Sequence, residues 1–175
     1  MGGTTKNEMK SKADRHFEGL RKIVPNVKRV ILFDYDTENT YHPEPDNPAL
    51  FEWRRKNIEN YLLVPEAWRR AILDIRNDQE NNIFNQPMQE MIDRFFAEQN
   101  LTLPPGNTWR DVNANIFEVV DGKRILFEQQ ESLFQKLYQT YEIKINRETV
   151  SKNFIPEELH ADVFDFFEKL AATLN

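Results

Sequence analysis

The sequence predicts an α/β fold with a small parallel sheet and a large helical C-terminal part. Three observations carry that reading. A helical apolar pattern feeds a wholly apolar run of β-forming residues. That run ends in closely spaced carboxylates. After Pro65 nearly every apolar pattern has helical spacing.

The elements follow in chain order. Behind Gly2-Gly3, residues Met9, Ala13, Phe17, Leu20 and Ile23 recur at steps of three or four and make one apolar helix face. Pro25-Asn26 ends that helix. Val27 to Phe33 comes next, and its closing Val30-Ile31-Leu32-Phe33 reads as a strand buried on both faces, the habit of a parallel sheet. Residues 37–50 hold Pro43, Pro45 and Pro48 and form a long loop at the strand's carboxyl end, where open α/β sheets bind ligands. Leu50-Phe51-Glu52-Trp53 begins a second strand running toward Ile58. Pro65 suits the first turn of a helix, with Ala67, Trp68, Ala71, Ile72 and Ile75 on its inner face. Met88, Met91, Ile92, Phe95 and Phe96 mark a helix from Pro87 to Gln99, and Leu103 to Gly106 then breaks the chain. Ile116 to Val120 reads as a short strand and Asp121-Gly122 as a turn. Lys123 to Phe127 is either the return strand of a hairpin or the start of a long helix through Tyr138; the Glu, Gln and Leu content favours the helix. Pro156-Glu157-Glu158 starts the last helix, with Leu159, Val163, Phe166, Phe167 and Leu170 inside. The chain thus divides into an α/β segment, 1–75, and a mainly helical extension, 76–175, packed on the same domain.

Composition narrows the function classes. The chain has 175 residues, 39% hydrophobic and 12% aromatic, enough for a buried core and unlike a disordered chain. The absence of Cys excludes disulfides and thiolate zinc sites and suits a reducing cytoplasm. No apolar run approaches the roughly 20 residues of a membrane span, and residues 1–12 lack the apolar region of a secretory signal. A net charge of −6 argues against a free-standing nucleic-acid binder, whose footprint is basic. It leaves room for an enzyme that recruits Mg²⁺, because the ion offsets local carboxylates.

The chemistry centres on Asp34 and Asp36. In extended backbone, residues two apart point to the same side, so both carboxylates converge on one ion at the end of the strand. A hard cation relieves their repulsion through oxygen ligands, and Glu38 extends the set if the chain stays extended. The bland alternative is a pair of acids ending a strand in solvent. Arg54, Arg55 and Lys56, next to Trp53, read either as phosphate contacts or as a solvated edge whose stems cover apolar surface. Arg69-Arg70 reads as a solvated helix face, and Tyr61 as either a partner for a site carboxylate or a core tyrosine. His16, His42 and His160 share no ligand spacing.

Two families carry a strand ending in Asp-x-Asp. In haloacid dehalogenase-type phosphatases the pattern is Asp-x-Asp-x-Thr; here Thr37 falls one position early and Glu38 takes the Thr place, which leaves this a minor alternative. The other is TOPRIM. The stretch Arg54-Arg55-Lys56-Asn57-Ile58-Glu59-Asn60-Tyr61-Leu62-Leu63, downstream of Asp34-Tyr35-Asp36, resembles the Arg-x-Ile-Glu-x-Tyr-Leu segment that follows Asp-x-Asp in TOPRIM domains at the C-termini of ATPases of the overcoming-lysogenization-defect (OLD) nuclease type. Gly122-Lys123 is similar to a late Gly-Lys of that family.

The resemblance implies a partial TOPRIM-like sheet and a two-metal cleavage of phosphodiesters. Asp34, Asp36, Glu59 and Lys123 would be its catalytic residues. Asp34, Asp36, Glu38 and Glu59 would hold Mg²⁺ or Mn²⁺, and Arg54, Arg55 and Lys56 would touch nucleic acid. The substrate would be DNA, with RNA the second choice, and the role phage defence in the cytoplasm. The family's first acid and first strand would precede Gly2-Gly3, and no Gly-x-x-x-x-Gly-Lys-[Ser/Thr] is present. The expectation is therefore a C-terminal piece, inactive or feeble alone, of a longer ATPase–nuclease whose N-terminal ATPase domain binds ATP and is its partner, with homo-oligomerisation open and no membrane contact. The rival reading is a non-catalytic module that binds nucleic acid or a protein partner.

Overall fold

The structure is a computed structural model that describes residues 5–35, 42–44, 47, 49–77 and 83–174. It is mostly helical, with one two-stranded parallel sheet. Two compact units divide the chain: Met1–Arg54 with Asp162–Asn175, and Arg55–Ala161. Among the described residues, no helix is long and apolar enough to cross a membrane.

In the first unit, helix α1 (Lys6–Arg21) starts at a capping box. Thr5 Oγ1 accepts from the Glu8 N–H at 3.2 Å, while the Thr5 N–H donates to Glu8 Oε2 at 3.1 Å. Strands β1 (Ile31–Phe33) and β2 (Leu50–Glu52) pair in parallel, with Ile31 opposite Leu50 and Phe33 opposite Glu52. The ladder extends one bond past each end: the Ile31 N–H donates to the Ala49 carbonyl (2.8 Å) and the Trp53 N–H to the Phe33 carbonyl (2.9 Å). Parallel neighbours need a long crossover, which segment 34–49 supplies. Helix α7 (Ala161–Leu174) sets Phe166 against Phe51 at 5.3 Å and Trp53 at 5.4 Å, and Lys169 Nζ donates to the Leu50 carbonyl at 3.0 Å.

The parallel pairing agrees with expectation; the length and burial of the strands do not. Of the run from Val27, only Ile31–Phe33 is strand, and Leu32 stays 38% exposed while Phe33 is buried. Among the described residues β1 has one strand neighbour. Likewise β2 stops at Glu52 and does not run toward Ile58: the chain bends there, Arg55 turns inward, and Ile58–Leu62 winds into a 3₁₀ turn.

The second unit holds the larger core. Helix α2 (Pro65–Ile75) has Pro at its first turn and buries Ala67, Trp68, Ala71 and Ile72. The Trp68 indole N–H donates to the Leu62 carbonyl at 2.9 Å. Helix α3 (Gln86–Glu98) buries Met88, Ile92, Phe95 and Phe96. Phe117, Leu126, Leu133, Leu137 and Val150 complete the same cluster.

Ile116 to Val120 is not a strand but part of a short helix, α4 (Asn115–Val119). A five-residue apolar run fits either period, and here the Asn60 side chain takes the Phe117 and Val120 carbonyls that a strand would need for its ladder. The expected long helix from Lys123 is interrupted. Arg124–Glu128 is a single π-helical turn, the chain breaks at Gln129–Ser132, and Ser132 then caps α5 (Leu133–Tyr141) by accepting from the Gln135 N–H at 3.3 Å. Asn146 caps α6 (Arg147–Lys152) in the same way, through the Thr149 N–H at 2.8 Å. Arg70 ties α2 to the turn Pro156–Glu158 through the Glu158 carboxylate and the Asn153 carbonyl.

Candidate functional site

Asp34 directly follows β1 and is exposed at its carboxyl end. Asp36 and Glu38 lie outside the described residues, so the paired carboxylates expected there are represented by Asp34. The neighbouring strand carries Glu52, which is ion-paired with the buried Lys6 and accepts His42 Nδ1 at 2.8 Å. Arg54 is exposed and reaches Asp162 at 3.1 Å and Asp165 at 3.4 Å.

The other sequence-derived residues gather in the second unit, around one buried amide. Asn60 is wholly buried. Its Nδ2 donates to the Phe117 carbonyl (2.9 Å) and the Val120 carbonyl (2.8 Å), and its Oδ1 accepts from the Gly122 N–H at 3.0 Å. A Cβ on residue 122 would stand 2.5 Å from Asn60 Oδ1 and 2.9 Å from its backbone N, so this close approach requires glycine. Beside it, Asn57 Nδ2 donates to Asp121 Oδ1 at 3.2 Å, and Lys56 Nζ lies 3.6 Å from Asp121 Oδ2. The stretch 57–60 and the turn 121–123, singled out separately in the sequence, are therefore bonded together.

That lock sets the residues on either side of it. Glu59 precedes Asn60 and is buried, and Arg147 Nε donates to its Oε1 at 2.7 Å. Lys123 follows Gly122, is half exposed and pairs with Glu128 at 3.0 Å. The hydrogen bond and charge of Glu128 hold the Lys123 ammonium above its usual range; Glu59 adds to the rise and Arg147 opposes it. Of these groups Arg147 and Glu59 are in direct contact, and the Asn60–Gly122 bond joins the segment carrying Glu59 to the one carrying Lys123. The Arg147 guanidinium also packs over the Phe127 ring at 4.5 Å. The sequence reading missed Arg147, because its partner lies 88 positions away and no local pattern marks it.

Arg55 departs from its expectation as a phosphate contact, while nothing in the structure bears against Lys56. Arg55 is 3% exposed; its guanidinium donates to the Asn60 carbonyl (2.9 Å) and the Val112 carbonyl (3.2 Å) and lies over the rings of Tyr61 and Phe117. It is a core arginine that pins the turn carrying Glu59. Lys56 remains exposed. Tyr61 is a core tyrosine whose ring lies tilted 5.7 Å from that of the buried His160.

Among the described residues, no three His, Asp or Glu side chains gather as a metal-ligand set. Asp34 offers the hard oxygen that Mg²⁺ prefers, and that ion commonly binds through one or two carboxylates while keeping several waters. Glu59 fits a metal less well, since Arg147 already occupies one of its oxygens. No protein-family model, curated protein or solved structure matches the chain.

Proposed function

We propose that this chain is a TOPRIM-like module of a Mg²⁺- or Mn²⁺-dependent nuclease of the OLD type, acting on DNA as part of a longer ATPase–nuclease. The observation that supports it most is the Asn60–Gly122 lock, which joins the two motifs of the resemblance, the first carrying Glu59 and the second Lys123. A divalent ion would supply positive charge and an activated water at the phosphodiester. Asp34 would hold that ion, with Asp36 and Glu38 as its companions. In the other unit, Lys123 would be a cation of the kind that meets a phosphate, and Glu59 would orient Arg147.

The test is nicking of supercoiled DNA by the pure chain with Mn²⁺. No nicking or only feeble nicking is expected from the chain alone, and what occurs should stop with EDTA and be lost in Asp34→Asn. Nicking that persists unchanged in Asp34→Asn would remove Asp34 from the chemistry. The Arg147 partner of Glu59 and the net charge of −6 favour a second reading, a module that binds without cutting. DNA binding in EDTA, with neither nicking nor Asp34-dependent binding of Mn²⁺, would select it.

A further inference from the structure

We propose that Arg147 and Lys123 form a phosphate subsite for a nucleic-acid backbone, with Glu59 aiming Arg147 instead of meeting the phosphate itself. The inference rests on the nucleic-acid reading above and names which groups of that site touch substrate.

An arginine carries five N–H donors in a rigid fork. Arg147 spends its Nε–H on Glu59 Oε1 at 2.7 Å, and among the described residues no other protein group takes the remaining four. The fork is held from two directions: the Glu59 carboxylate is only 9% exposed, and the Phe127 ring lies 4.5 Å from the guanidinium carbon. Arg147 itself is 47% exposed, so its free edge faces outward. A guanidinium anchored at Nε and stacked on a ring is preorganised for bidentate contact with a phosphate, and little side-chain entropy remains to be lost on binding. Lys123 is 48% exposed and follows Gly122, whose N–H is bonded to Asn60 next to Glu59; it shares its ammonium with Glu128 at 3.0 Å and supplies the second cation as a point charge. Glu59 has the complementary part. Buried and bonded to Arg147, it is poorly placed to receive a polyanion but well placed to orient a cation that does. It is a positioning residue.

The test is fluorescence anisotropy of a labelled oligothymidylate with the full chain in EDTA, across a salt series. Arg147→Gln should weaken binding about ten-fold and lower the magnitude of the log–log salt slope by about one, the signature of one lost phosphate contact. Arg147→Lys keeps the charge and should weaken binding several-fold, so the result survives if the Gln variant fails to fold. Lys123→Gln should also lose about one unit of slope. Lys152→Gln removes one exposed charge elsewhere on α6 and should bind as the wild type does. Wild-type affinity in both Arg147 variants and in Lys123→Gln would overturn the proposal, as would equal weakening in Lys152→Gln or equal displacement by an oligoglutamate of matched charge. Asp34-dependent nicking combined with unaltered Arg147 variants would sink the subsite and leave the nuclease standing. Arg147-dependent binding with neither nicking nor Asp34-dependent binding of Mn²⁺ would leave the subsite and remove the nuclease.

Discussion

Asn60 meets three backbone groups from a position with no access to water, and that arithmetic sets its value. Truncating it strands the Phe117 carbonyl, which costs about 1–3 kcal/mol when buried unmade, and leaves the Val120 carbonyl and the Gly122 N–H only their mutual bond at 3.1 Å. Asn60→Ala should therefore lose about 2 kcal/mol in urea unfolding. Gly122→Ala forces a methyl group against the same amide and should lose about 2 kcal/mol or more. Because both changes act at one contact, the double variant should fall well short of their sum. Strictly additive losses would mean that the contact does not bind the two segments. Arg55 invites a parallel check: Arg55→Gln should lower stability without altering the salt slope of DNA binding, since its donors serve the core. At this scale the sequence exposed residues whose meaning is local. Asp34 is visible as a short acid closing an apolar run. Arg147 is invisible, because its role depends on a glutamate that only folding delivers.

Helices announced themselves where periodicity was long enough. α1, α2 and α3 show apolar steps of three and four, and Pro65 sits at the first turn of α2 as its fixed φ requires. α4 was misread because five residues cannot distinguish the two periods, and α6 was not seen because six mostly polar residues carry no apolar stripe. Trp68 tests the best-defined element: it is fully buried in α2, and Trp68→Ala should destabilise by about 3–5 kcal/mol in the same denaturation measurement. α1 offers a pH test. Hydrogen bonds from Lys10 and then Arg29 hold the Asp14 carboxyl below its ordinary 3.8. A depressed carboxylate stabilises the fold above its unfolded pKa, and that contribution disappears as pH falls through the folded value. The Asp14 titration followed by NMR at low salt should therefore have its midpoint below 3.8 and move up in Lys10→Gln. A midpoint at or above 3.8 in the wild type would show that these bonds do not persist in solution.

Across the whole molecule, the apolar content is unevenly shared. The main buried cluster, Leu63 to Val150, lies wholly within the unit Arg55–Ala161. Amides of α2, α3 and α5 should accordingly exchange slowest in hydrogen–deuterium exchange, and those of α1 and β1 sooner. Slower exchange in β1 than in α3 would contradict this distribution of stability. The return of α7 onto β2, with Phe166 against Phe51 and Trp53, could not be read from the chain. Apolar spacing declares a helix face but not the surface that covers it. The parallel pairing was legible, because an apolar strand followed by a long connection and a second β run admits few other arrangements. The central functional claim is that the end of β1 binds a divalent ion. The measurement that tests it most directly is calorimetric titration of Mn²⁺ into the wild type and into Asp34→Asn/Asp36→Asn. Weak binding that vanishes in the double variant is the predicted result; equal heats in both proteins, or none in either, would contradict it.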